Sequence, residues 1–168
     1  MLRRIHALLL RGFRRLPRGV RRAIVRTVAP SFSVGAMCVI ESADGALLLV
    51  RQSYRDHWGC PGGLLRRGET PADGARRETQ EEVGVAIDID GEPRVMIDVA
   101  ARRIDVVFRC RLQEPATAEI RPTSAEIVEA RWFPLDNLPE AQREVAEALT
   151  SLGYTIRPAP QRRRRNAS

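Results

Sequence analysis

The sequence predicts an α/β fold in which helices cover a mixed sheet. Three observations carry this. Short apolar or alternating runs of strand length recur through the middle of the chain, a well-capped helix interrupts them at residues 71–83, and a second helical pattern follows at about residues 139–152. With 168 residues, 43% of them hydrophobic, the chain is long enough for one core and needs no second domain. The expected division is a basic amphipathic helical extension at 1–30, a single compact domain at 31–156 and a disordered basic tail at 157–168.

The extension comes first. Leu2, Ile5, Leu9, Phe13, Leu16, Val20 and Ile24 recur every three or four positions, which is helical spacing, and Pro17 divides the pattern into two helices. Arginines fill much of the opposite face, with no acid among the first 28 residues. The apolar run at residues 7–10 is too short for a signal-peptide core or a spanning helix. Two uses compete for the stripe: packing on the domain, or peripheral contact with an anionic membrane surface through residues 1–28. Nucleic acid is a weaker third.

Strands follow at about residues 32–40 and 46–52, with Ala43, Asp44 and Gly45 turning between them in a hairpin pattern. Next comes a turn built from Pro61, Gly62 and Gly63, where the absence of side chains lets the main chain approach a ligand or metal closely. The helix after it has Thr70 at the N-cap, Pro71 at the first position, Asp73 completing a shortened capping box and Gly84 as C-cap. Ala72, Ala75, Thr79 and Val83 form its inward stripe. Glu78, Glu81 and Glu82 crowd another face. Acids in a last helical turn meet the negative end of the helix dipole and repel one another, so a purely structural helix would favour arginine there. A bound cation reverses that penalty, and hard oxygen ligands suit Mg²⁺ or Mn²⁺. Further strand-like runs lie at 85–89, 94–100, 103–112 and 127–133.

These residues resemble the Nudix hydrolases, whose box reads G-x5-E-x7-R-E-U-x-E-E-x-G-U with U bulky and apolar. Gly63, Glu69, Arg77, Glu78, Glu81, Glu82, Gly84 and Val85 fall at the required positions, and Thr79 alone departs, at the first U. Its hydroxyl can bond back to a carbonyl of the preceding turn. The lead-in "WGCPGG" and the later "ARWFPLDNLP" also resemble the family, so the likeness covers about residues 33–152. It implies an α-β-α sandwich and a divalent-metal-dependent hydrolase acting on a phosphoanhydride bond of a nucleoside diphosphate linked to another group. By the same resemblance Glu78, Glu81, Glu82 and the Gly62 carbonyl would hold the metal, and Glu69 would brace the loop or act at its edge. Arg77, four residues before Glu81, can hold that carboxylate in place. The proton would pass to a box glutamate or to Glu126 on a later loop, with Glu129 the weaker loop rival.

The substrate is less legible. Arg51 and Arg55 are candidate phosphate contacts, and Tyr54, Trp58 and Phe108 candidate stacking partners for a base. An RNA 5′-end pyrophosphohydrolase and a non-catalytic nucleotide-sensing module are the rival readings. The basic ends favour the first, and three intact, mutually repelling glutamates argue against the second. All 28 basic residues are arginine, and the formal charge of +7 arises at the ends, since acids outnumber arginines between them. Cys38, Cys60 and Cys110 are odd in number and lack metal or redox spacing, which fits a reduced cytoplasmic setting.

Overall fold

The computed structural model describes residues 11–29, 31–114 and 119–155. Residues 11–15 are helical, the helix breaks at Leu16 and Pro17, and α1 follows at Arg18–Val28. The break is where proline was expected to place it, because Pro17 has no N–H to continue the first helix yet opens the second. Leu2, Ile5 and Leu9, and the tail from 156 onward, lie outside the described residues. The chain divides into two compact units, Met1–Phe32 and Ser33–Ser168.

The second unit holds two sheets and two helices. Strands β1 (Ser33–Ile40), β2 (Ala46–Gln52), β3 (Trp58–Gly59) and β4 (Gly62–Leu64) lead to helix α2 (Pro71–Val83). After it come β5 (Ile87–Asp98), β6 (Arg103–Leu112), β7 (Ile127–Pro134) and helix α3 (Arg143–Ser151). One sheet is mixed, in the order β4-β1-β6-β5, with β1 parallel to β6 and the other pairs antiparallel. The other is antiparallel, in the order β3-β2-β7.

Burial explains why β1 and β2 are continuous apolar runs. Alternate residues of each strand feed two cores. Ala36, Cys38, Ile40, Leu48 and Val50 join Ala75 and Val83 of α2. Met37, Val39, Leu47 and Leu49 join Val145, Ala148 and Leu149 of α3. A strand covered on both faces has no polar side, so alternation disappears. The result is an α-β-α sandwich.

The hairpin expected about Ala43, Asp44 and Gly45 forms only as a turn with one antiparallel bridge, between Glu41 and Leu47. Beyond it β1 and β2 enter different sheets, because β1 finds a longer partner in β6 and β2 in β7. The two runs expected at 85–89 and 94–100 merge into one strand, β5, with an irregularity between Asp90 and Arg94. The last helix starts at Arg143, not 139, since Gln142 N–H donates to the Trp58 carbonyl and Ala141 bridges Trp58. Helix α2 has the expected bounds: Asp73 N–H donates to Thr70 Oγ1 at 3.2 Å, and Gly84 closes it at φ 74°.

Among the described residues no helix is long and apolar enough to cross a membrane.

Candidate active site

The "CPGG" segment crosses from one sheet to the other, since β3 ends at Gly59 beside β2 and β4 begins at Gly62 beside β1. Gly62 has φ 147°, and a Cβ there would lie 2.2 Å from the Ala36 carbonyl oxygen. At Gly63 a Cβ would stand 2.6 Å from the Glu78 carboxyl. The paired glycines therefore let strand β4 pass between β1 and the acidic face of α2.

That face is organised by Arg77. Its Nε and Nη2 donate to the two oxygens of Glu69 at 2.7 and 2.8 Å. Its Nη1 donates to Glu78 at 2.7 Å and to Glu81 at 3.1 Å, and Nη2 also reaches the Leu64 carbonyl. One largely buried guanidinium thus fixes three carboxylates and strand β4. The Arg77 hydrogen bonds, with one from the Arg66 N–H, hold the Glu69 carboxyl down to about 2. Arg66 also grips Glu81, donating to its two oxygens at 2.8 and 3.1 Å.

Glu82 lies deeper, 5% exposed, and accepts from the Gly62 N–H at 2.9 Å. Burial pushes its carboxyl up to about 8; the Gly62 hydrogen bond opposes this, and the Glu78 and Glu126 charges add to it. Thr123 stitches the later loop to the end of α2, with Oγ1 donating to the Glu81 carbonyl and N–H to that of Glu82. Ser53 N–H donates to the Glu126 carbonyl at 2.8 Å, tying the same loop to the segment after β2.

Together these elements line one cleft of about 690 Å³ containing Gly62, Gly63, Arg77, Glu78, Glu81, Glu82 and Glu126. Tyr54 and Arg55 line it as well. Its size suits a small-molecule ligand. Glu69 stands behind Arg77 and is not part of the lining. Arg51 is not brought to the cleft: it donates to Glu129 through Nε and Nη2 and lies over the Trp58 ring at 5.9 Å. Glu129 is engaged by Arg51 and Arg131. Of the three candidate aromatics, Phe108 is core and Trp58 packs edge-on against Phe133 at 4.8 Å, leaving Tyr54 in the cleft. Cys60 also lines it, but burial pushes its thiol up to about 12, so it is inert as a nucleophile.

Arg66, Arg103, Gln142 and Glu144 are cleft residues that the sequence did not single out. Arg66 occupies a variable position of the box, on the connection from β4 to α2, whereas Arg103, Gln142 and Glu144 lie outside any compact motif and reach the cleft through strand pairing and the α3 connection.

Among the described residues no three His, Cys, Asp or Glu side chains converge tightly enough to enclose a metal. Arg77 Nη1 holds Glu78 and Glu81 against itself, and the Gly62 N–H holds Glu82. The donor set still fits a hard divalent cation. Such an ion takes one or two protein carboxylates and completes its shell with water and phosphate. Burial disfavours the Glu82 anion, a cost that a bound cation would relieve, and in the same wall Ser124 Oγ is buried with no hydrogen-bond partner among the described residues.

The NUDIX domain profile matches residues 31–152. The chain belongs to the Nudix family. It is 32% identical over 136 residues to a MutT-like protein of Streptomyces ambofaciens, covering 78% of this chain and 86% of that one. In structure it is similar to a NUDIX hydrolase from Nitrosomonas europaea, with TM-score 0.63 and 25% identity over 75% of this chain and 76% of the other. It also resembles an ADP-ribose pyrophosphatase from Streptococcus suis, with TM-score 0.56 and 25% identity over 74% and 96% of the two chains. This Nudix chain is accordingly a hydrolase of pyrophosphate bonds.

Proposed function

We propose that this Nudix hydrolase cleaves the phosphoanhydride of a nucleoside diphosphate linked to another group, with Mg²⁺ or Mn²⁺ as cofactor. The observation that carries this reading is the meeting of Glu78, Glu81, Glu82 and Glu126 with Tyr54 and Arg55 in one cleft. The name of the Streptococcus suis neighbour agrees with the substrate class.

Glu78, Glu81, Glu82 and the Gly62 carbonyl would hold the metal. A divalent cation there supplies charge neutralisation of the diphosphate and a lower pKa for a bound water. Arg77 keeps Glu78 and Glu81 from swinging, through hydrogen bonds of 2.7 and 3.1 Å. Glu69 locks Arg77 from behind and holds the β4 to α2 connection through the Arg66 N–H at 2.7 Å. Glu126, in the cleft lining and tied through its carbonyl to Ser53, takes the proton of the attacking water. Tyr54 offers a face for the base, and Arg55 a cation for phosphate.

The test is hydrolysis of a panel of nucleotide sugars, dinucleotides and nucleoside triphosphates with Mg²⁺, reading released monophosphate or phosphate. Release from a diphosphate-linked compound ahead of triphosphates supports the reading. Release from none overturns it.

Peripheral contact with an anionic membrane through residues 1–28 is a further part of the proposal. It is supported by α1, on which Val20, Ile24, Val25 and Val28 are exposed beside several arginines and no acid. Deleting residues 1–28 should remove salt-sensitive binding to phosphatidylserine vesicles while leaving hydrolysis intact.

A further inference from the structure

Arg103 opens β6, on the same face of the strand as Asp105 two residues on. Its Nε donates to both Asp105 oxygens, at 2.9 and 2.7 Å. Asp105 is 5% exposed. Gly35 makes room for the pair: a Cβ there would lie 2.4 Å from Asp105 Oδ1 and 3.1 Å from Arg103 Nη2. Sequence and fold thus set aside a glycine and a buried acid for one arginine.

The direction of the anchor matters. Among the described residues the hydrogen bonds of the Arg103 guanidinium run from Nε alone, leaving Nη1 and Nη2 uncommitted. Other arginines of the cleft differ. Arg77 is fully engaged by Glu69, Glu78, Glu81 and the Leu64 carbonyl. Arg66 is held by Glu81, and Arg55 donates to Gln142 at 2.5 Å and lies 3.8 Å from Glu144. Arg103 lines the cleft with a third of its side chain exposed. With Arg55, Leu64 and Glu144 it also forms the wall shared with a smaller neighbouring cavity of about 330 Å³.

A buried ion pair is weak evidence for stability, because desolvation offsets most of the attraction. A pair that locks a cleft-lining arginine by its Nε, with its terminal amino groups free of hydrogen bonds among the described residues, has a second use. Such a planar fork matches phosphate oxygens, and fixing it in advance lowers the entropy cost of binding.

We propose that Arg103 is a substrate-recognition residue whose terminal N–H groups bind a phosphoryl group of the nucleotide, and that Asp105 is its positioning residue. This rests on the pyrophosphohydrolase reading above. Neither residue belongs to the motif that carries the resemblance. The Asp105 hydrogen bond holds the Arg103 guanidinium above its ordinary pKa, against the opposing effect of burial, so the charge is permanent.

The test is calorimetric binding of inorganic pyrophosphate with Mg²⁺ to the full chain and to Arg103→Gln, Asp105→Asn and the double variant. Loss of a charge-assisted contact should weaken pyrophosphate binding about tenfold or more in Arg103→Gln. Asp105→Asn should weaken it less, because the fork remains but is no longer locked. On any panel nucleotide that the wild type cleaves, KM should rise about tenfold for Arg103→Gln, with kcat within about threefold. The double variant leaves no unpaired buried charge, and decides the matter in the same way if Arg103→Gln alone does not fold. Unchanged pyrophosphate affinity in the folded variant overturns the proposal, as does a wild type that does not bind pyrophosphate. Arg103-dependent pyrophosphate binding in a protein that cleaves no nucleotide would sustain the proposal and sink the hydrolase reading.

Discussion

The backbone N–H of Gly62 donates to the Glu82 carboxylate at 2.9 Å, joining the glycine turn to the last turn of α2. Residues twenty positions apart in sequence become one unit of the site. The bond sets the depth of Glu82, and with it the cost of the carboxylate's charge in the absence of a cation.

If Glu82 belongs to the proposed metal set, Glu82→Gln should lower kcat about a hundredfold or more, since the side chain loses its charge while keeping its acceptor oxygen for Gly62. Metal-free stability should stay level or rise, because a neutral amide relieves burial and repulsion from Glu78 and Glu126. Turnover and thermal midpoints without metal check the two halves; near-wild-type turnover would remove Glu82 from the metal set.

Glu126→Gln should slow turnover about a hundredfold if Glu126 takes the proton. Its fold should be unaffected, because its bond to Ser53 uses the backbone carbonyl. Equal rates for variant and wild type would move the role to a box glutamate.

Gly62→Ala should destabilise the protein by at least about 1–3 kcal/mol, through a backbone conformation at φ 147° that L-residues rarely adopt. The clash with the Ala36 carbonyl adds to this. Denaturant unfolding measures the loss. A variant as stable as the wild type would mean that β4 can shift without harm.

Glu69→Gln tests the acid limb of stability. The Glu69 carboxyl is held at about 2, below its ordinary 4.5, first by Arg77 and then by the Arg66 N–H. A depressed acid stabilises the fold above its unfolded pKa and loses that contribution as pH falls toward the folded value. Between pH 4.5 and 2 the wild type should lose stability more steeply than the variant. Parallel acid-unfolding curves would show that the contact with Arg77 contributes little.

Thr79→Val should change stability by no more than about 1 kcal/mol. Thr79 is fully buried, and its hydroxyl donates back to the Ala75 carbonyl at 2.9 Å. Valine keeps the shape and removes a hydroxyl satisfied within its own helix. Circular dichroism melts and turnover together check that this departure from the family box is silent.

What the sequence by itself determined is local or motif-bound. Helix α2 was legible to the residue, because Thr70, Pro71, Asp73 and Gly84 act within one turn of the ends they define. The break at Pro17 and most strand positions follow from chemistry within a few residues. The box glutamates were legible because helical spacing places them on neighbouring positions whatever surrounds them. Only tertiary structure decided that β1 and β2 part into different sheets, since that choice depends on partners β6 and β7 more than sixty residues further on. It also decided that Arg51 is taken up by Glu129 while Arg103, unremarkable in an alternating strand, faces the cleft. Their neighbours come from strand register, which no local pattern encodes: β2 against β7 sets Arg51 opposite Glu129, and β1 beside β6 sets Gly35 opposite Asp105.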